Sequence, residues 1–176
     1  CVLDLGSGYG SFINAVQSRR RIAVDAWEGF PAYLSPDIEA KVGSVNDLEF
    51  LEDGSIDFAF ASNLFEHLSR DDLQAVLDGL QRKLSSKGTL TLVQPNYRYA
   101  YREYFDDFDH KSIWSHISMA DFLTSQGWDV LVVEPRFMPL TVKGRLPVNE
   151  RLVQVWLASP WKPIGKQMLI QAKPRA

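Results

Sequence analysis

Short apolar runs alternate with stretches of helical spacing along this 176-residue chain. Cys1 to Leu5 is apolar apart from Asp4, the pattern of a buried strand, and it opens into Gly6-Ser-Gly-Tyr-Gly10 before a helix expected from about Ser11. Arg21 to Asp25 reads as a second strand, and Lys41 to Gly43 as a weak third. Ile56 to Ala61 is broken only by Asp57, as in a strand covered on both faces. Ser69-x-x-Asp72 starts a helix. Leu73, Val76, Leu77, Leu80 and Leu84 then recur at its period as core positions, until Gly88 stops it. Thr89 to Val93, Trp128 to Glu134 and Gln167 to Lys173 read as further strands, with a capped helix over Ser118 to Gln126 ended by Gly127. This alternation predicts one α/β domain over residues 1–176, with helices on both faces of a mostly parallel sheet. No internal repeat or low-complexity tract interrupts it.

The glycine loop carries the first chemical signal. Glycine is needed where backbone takes positive φ or a ligand lies against bare main chain, and a following helix turns its free N–H groups toward such a ligand. A dinucleotide fingerprint, Gly-x-Gly-x-x-Gly, would need glycine where Ser11 stands. Asp4-x-Gly6-x-Gly8-x-Gly10 instead resembles motif I of the class I S-adenosylmethionine (SAM)-dependent methyltransferases; a glycine-rich turn of another α/β domain is the competing reading. Asp25 ends the second strand 17 residues beyond Gly8, where a carboxylate can accept two hydrogen bonds from a ribose.

The resemblance implies a Rossmann-like, mostly parallel seven-stranded sheet with an antiparallel last strand, and SAM as cofactor. It places the cofactor on Asp4, Gly6, Ser7, Gly8, Gly10, Asp25 and Ala26, and near Val45, Asn46 and Asn63. The family commonly has Asp after the glycine at position 43, contacting the adenine amino group. Here Ser44 stands there, leaving Asn46, Asp47 or the Val45 N–H to serve. The Asn/Asp-Pro-Pro-Tyr tetrad of nucleic-acid amino-methyltransferases is absent after Ala61.

Composition changes this picture little, and charge changes it more. The single cysteine, Cys1, forbids an internal disulfide and fits a reducing, cytoplasmic compartment. No apolar run is long enough to span a bilayer. The chain begins inside a core strand without Met, so a preceding segment that covers the substrate is expected. Net charge is −3, divided between an acidic body and a basic tail. Residues 136–176 carry eight Lys or Arg against Glu150 alone. The acidic body argues against a nucleic-acid partner. Nothing in the sequence sets an oligomeric state.

Methyl transfer mainly requires alignment and exclusion of water, with a general base if the acceptor is a hydroxyl. Tyr97, Tyr99, Tyr101, Tyr104, Phe105, Asp106, Asp107, Phe108, Asp109 and His110 crowd together after the fifth strand. In the functional reading His110, beside Asp109, is the base or a substrate hydrogen-bond partner. In the other, the segment is a lid held by aromatic packing. His67 reads as structural, and His116 as a cap or pocket-lining residue. Three histidines and one terminal cysteine show no metal-ligand spacing, so no metal is expected.

The 136–165 segment, basic and containing Pro and Trp, looks like an insertion before the last strand. It resembles methyltransferases encoded with bacterial surface-polysaccharide machinery, which implies a sugar-containing acceptor linked to a nucleotide or lipid. Lys143, Arg145 and Arg151 suit a phosphate. Leu152, Val153, Val155, Trp156, Leu157, Trp161 and Lys162 suit peripheral contact at the inner membrane face through 143–162. The alternative is a packed excursion with a solvated basic edge. Two other functions stand beside the sugar hydroxyl: methylation of a lipid, quinone or carboxylic acid, and a non-catalytic binding module on the same fold.

Overall fold

The computed structural model describes residues 1–140 and 149–175. Seven strands form its sheet: β1 Val2–Leu5, β2 Arg21–Asp25, β3 Glu39–Val42, β4 Ile56–Ser62, β5 Leu84–Pro95, β6 Trp128–Glu134 and β7 Gln167–Pro174. Their order is β3-β2-β1-β4-β5-β7-β6. The first five pair in parallel, and β7 inserts antiparallel between β5 and β6. This is the seven-stranded, Rossmann-like sheet with a reversed last strand.

Strand pleating sorts the side chains onto two faces. Leu3, Leu5, Ile22, Val24, Leu90 and Leu92 join the larger core. Helix α1, Arg70–Lys83, covers it with Leu73, Val76, Leu77 and Leu80. A single helical turn, α2, Tyr97–Ala100, follows β5. Helix α3, His116–Ser125, adds Met119 and Leu123 against Trp128. On the opposite face Val2 and Ala23 pack with Ile13, Phe30 and Ile38. The cover there is thinner: a 3₁₀ helix at Phe30–Tyr33, and turns around Phe12, whose ring stacks on Phe60 at 4.0 Å. Between β6 and β7 the chain carries α4, Glu150–Ala158.

Three boundaries differ from the sequence expectation. The helix expected from Ser11 is only a run of turns, with Asn14 N–H bonded to the Gly10 carbonyl and Val16 N–H to that of Phe12. Arg21 ends it by donating to the carbonyls of Ile13 and Val16, at 3.2 and 3.3 Å, which a longer helix would satisfy itself. Helix α1 stops at Lys83, and Leu84 opens β5 opposite Ile56 instead of continuing the helical stripe. Gly88 is therefore no helix stop: a Cβ there would lie 2.8 Å from the Ile56 carbonyl, so the position needs glycine for close strand approach. The cap of α3 is Ser115, not Ser118; the two hydroxyls form a reciprocal capping box.

Candidate active site

The glycine loop lies at the carboxyl edge of β1. Gly6, Gly8 and Gly10 have φ of 66, 51 and 69°, the left-handed region that the sequence spacing anticipates. A Cβ on Gly10 would strike Leu34 at 2.5 Å, whereas one on Gly8 would meet nothing within 4 Å. Gly10 is thus glycine for packing, and Gly8 leaves bare backbone facing open space. Asp25, at the end of β2, aims at this loop. Its Oδ2 accepts the Gly8 N–H at 2.7 Å and its Oδ1 the Trp27 N–H at 2.8 Å. Each oxygen keeps a second lone pair for a ligand.

Beside the loop Tyr9, Trp27 and Tyr33 form a mutually packed, exposed aromatic cluster, with ring centroids 4.9 to 5.3 Å apart. The sequence reading missed it, although Tyr9 lies within the loop and Trp27 two residues past Asp25. Open backbone, a strand-end carboxylate and exposed rings together suit a nucleoside cofactor. Ala26, also exposed, lies between Asp25 and Trp27.

Asp4 serves from beneath. It is buried, with its carboxyl against the Ser7 hydroxyl and the Ile13 backbone, and burial pushes its pKa up from 3.8 to about 7. The folded chain therefore holds a proton that the unfolded chain releases. The stability this gives is full below 3.8 and is lost as pH rises through about 7. Asp4→Asn cannot ionise and is expected to gain melting temperature relative to the parent across that window. Thermal unfolding from pH 4 to about pH 8 checks this; a constant difference between the two proteins would show a freely ionising carboxyl.

The other expected cofactor residues divide. Val45 is buried, and Asn46 donates to Asp72 at 2.8 Å, tying its loop to the start of α1. Asn63 follows β4 with φ 49°, a conformation Asn tolerates better than most residues. Its Oδ1 accepts from Gln167 at 2.8 Å.

Asn63 also lines an open cleft of about 850 Å³, together with Glu66, His67, Glu103, Asp106, Asp107, Phe108, His110 and Lys166. The sequence neighbours Asp109 and His110 do not pair. Asp109 is exposed, while the His110 ring packs edge-on to Tyr104 and His67, with centroids 4.7 and 4.9 Å away. Its acidic neighbour is Glu66, which the sequence reading left without a role. Glu66 is completely buried, and burial pushes its carboxyl up to about 8.

The histidines, unspaced along the chain, therefore meet in space: single ligand atoms of Glu66, His67 and His110 lie within 4.8 Å of one another. Part of the segment is packed and bonded in place. Tyr104 is buried and donates to the Ser112 carbonyl at 2.7 Å, and Lys111 and Ser112 N–H both bond the Glu66 carbonyl. His116 opens α3 and faces Asn96 at 3.0 Å, away from the cleft lining.

The fold is that of the S-adenosylmethionine-dependent methyltransferases. Residues 2–88 match a family described as a methyltransferase domain. No curated protein matches the chain. Among solved structures, a SAM-dependent methyltransferase from Archaeoglobus fulgidus is 22% identical, with TM-score 0.73 over 98% of this chain and 85% of that one. One from Mesorhizobium loti is 14% identical, with TM-score 0.71 over 97% and 89%. The DhpI–SAH complex is 15% identical, with TM-score 0.67 over 99% and 76%. At such identities these structures speak for the fold, while the family match and the loop speak for SAM as the cofactor.

Proposed function

We propose that the chain methylates a hydroxyl of a sugar-containing metabolite, linked to a nucleotide or a lipid, and does so in the cleft beside Asn63. The observation that carries this reading is the cleft's lining: the Phe108 ring, the Asp106 and Asp107 carboxylates, the Lys166–Glu103 ion pair and two imidazoles, all at the carboxyl edge of the sheet. Such a mixture of ring faces and hydrogen-bonding groups suits a polyhydroxylated molecule. SAM supplies the methyl group, the carbon–sulfur bond breaking with its electron pair on sulfur as an acceptor oxygen's lone pair takes the carbon. Asp25 and the Gly6–Gly10 backbone hold the cofactor, with Asp4 supporting the loop.

His110 handles the acceptor's proton, either by taking it or by holding the group that acidifies the hydroxyl. His110→Ala is expected to lower turnover at least about tenfold and to leave SAM affinity unchanged. A panel of nucleotide sugars assayed for methyl incorporation tests acceptor and residue together. Methylation of none, with lipids, quinones and carboxylic acids accepted instead, would overturn the sugar assignment.

The tail favours a lipid-linked form of that acceptor. Lys143 and Arg145, expected on a phosphate, lie outside the described residues. Arg151 is exposed on α4. Leu152, Val155 and Leu157 are exposed on the same helix, and Trp161, beyond it, is 77% exposed. Trp156 turns inward, donating to the Phe137 carbonyl at 2.7 Å. Among the described residues no helix is long and apolar enough to cross a membrane, so contact would be peripheral. Substituting Leu152, Val155 and Trp161 by Ser is expected to reduce flotation with anionic liposomes; unchanged flotation removes the membrane from the account.

A further inference from the structure

We propose that Glu66, His67 and His110 bind a divalent transition-metal ion at the floor of the acceptor cleft. Bonding capacity at the cleft floor is unmet. Neither Glu66 carboxylate oxygen has a hydrogen-bond partner, although the residue is wholly buried, and His110 Nδ1 is likewise buried and unpartnered. Leaving both oxygens of a buried carboxyl group without a hydrogen-bond partner is costly. Among the described residues no cationic side chain answers them. The Lys166 amine, in the same cleft, is paired with Glu103, and Lys111 bonds Glu66 through its backbone.

One ion answers all three groups. Single atoms of Glu66, His67 and His110 lie within 4.8 Å of one another. Ligands on a common ion at about 2.1 Å stand roughly 3 to 4 Å apart, so a small closing movement of side chains completes the shell. Two imidazoles and one carboxylate are the donors of Zn²⁺, Mn²⁺, Co²⁺ or Fe²⁺, rather than of Ca²⁺ or Mg²⁺, which prefer all-oxygen shells. With only three protein ligands the remaining positions face the cleft, the arrangement of a catalytic rather than a structural ion.

The local fold supports the grouping. Glu66 and His67 sit on a one-turn 3₁₀ helix after β4, and the lid carrying His110 is bonded to the Glu66 carbonyl by two N–H groups, at 2.8 and 3.1 Å. The three ligands are thus fastened together through the main chain.

The role assigned to this ion rests on the proposed hydroxyl acceptor. A cation beside the hydroxyl lowers its pKa. The O–H bond then breaks with its electron pair left on oxygen, the proton passes to solvent, and the oxygen lone pair is ready for the methyl carbon. His110 then acts as a ligand rather than as the base itself.

Calorimetry on the untagged, chelator-stripped protein, titrated with ZnCl₂ and separately with MnCl₂, tests the site without reference to activity. One equivalent is expected to bind, and a Co²⁺-loaded sample is expected to show visible ligand-field absorption. Glu66→Gln and His67→Ala each alter a direct ligand and should each weaken binding at least about 100-fold, the upper end of what losing an outer-shell partner costs. His116→Ala, remote from the cleft, should not change it. His67 is only partly buried, so its variant keeps the test intact if Glu66→Gln fails to fold. Absence of a stoichiometric site, or affinity unmoved in both Glu66→Gln and His67→Ala, overturns the proposal. If stripped and loaded enzyme methylate a nucleotide sugar equally well, the ion's role falls while the methyltransferase reading stands. If the ion binds and no sugar is methylated, the acceptor reading falls and the metal site stands.

Discussion

Asp25→Ala is expected to weaken SAM binding about 100-fold in calorimetry while leaving the thermal unfolding cooperative. The carboxylate accepts the Gly8 and Trp27 N–H groups at 2.7 and 2.8 Å and keeps a second lone pair on each oxygen. Hydrogen bonds to a charged partner contribute roughly 1.5–3 kcal/mol each, so losing two toward ribose hydroxyls removes about 3 kcal/mol or more, which is the 100-fold quoted. The loop itself would also lose its tie to β2. Asp25→Asn should recover little of this. Its amide N–H₂ must face either the Gly8 or the Trp27 N–H, a donor against a donor, and only one oxygen remains to accept. SAM affinity within threefold of the parent in both variants would remove Asp25 from the cofactor site.

The second large effect concerns stability. Trp128→Ala is expected to cost about 3–5 kcal/mol in urea unfolding. Trp128 opens β6, is fully buried, and fills the space between the sheet and Met119 and Leu123 of α3. No other side chain in that cluster can expand to fill an indole-sized hole. Trp128→Phe separates the two parts of the residue's contribution. The indole N–H is buried without a partner, so removing it relieves a desolvation cost of about 1–3 kcal/mol and offsets part of the lost volume. Trp128→Phe should therefore lie within about 1.5 kcal/mol of the parent. A loss equal to that of Trp128→Ala would show that the N–H is engaged.

What the sequence determined by itself was local. Three glycines at alternate positions could be read because positive φ is a property of single residues, and all three adopt it. The spans Arg21–Asp25 and Trp128–Glu134 match the expected strands, because apolar runs of that length bounded by turn residues have few other fates. The Ser69 cap holds as read, accepting the Asp72 N–H. With Asp25 ending β2, these local signals were enough to point to the cofactor.

How segments distant in sequence meet was settled by the packing of the whole fold. The turns after Gly10 never become a helix because Arg21, arriving from β2, takes the carbonyls of Ile13 and Val16. Leu84 leaves the helical stripe because β4 offers it a strand partner in Ile56. His110 abandons its neighbour Asp109 for Glu66, 44 positions away, and Gln167 reaches Asn63 from the far end of the chain. The physical reason is common to these cases. Periodicity and propensity describe which face a residue presents, whereas the partner on that face is chosen by packing and by buried polar groups seeking the least costly neighbour.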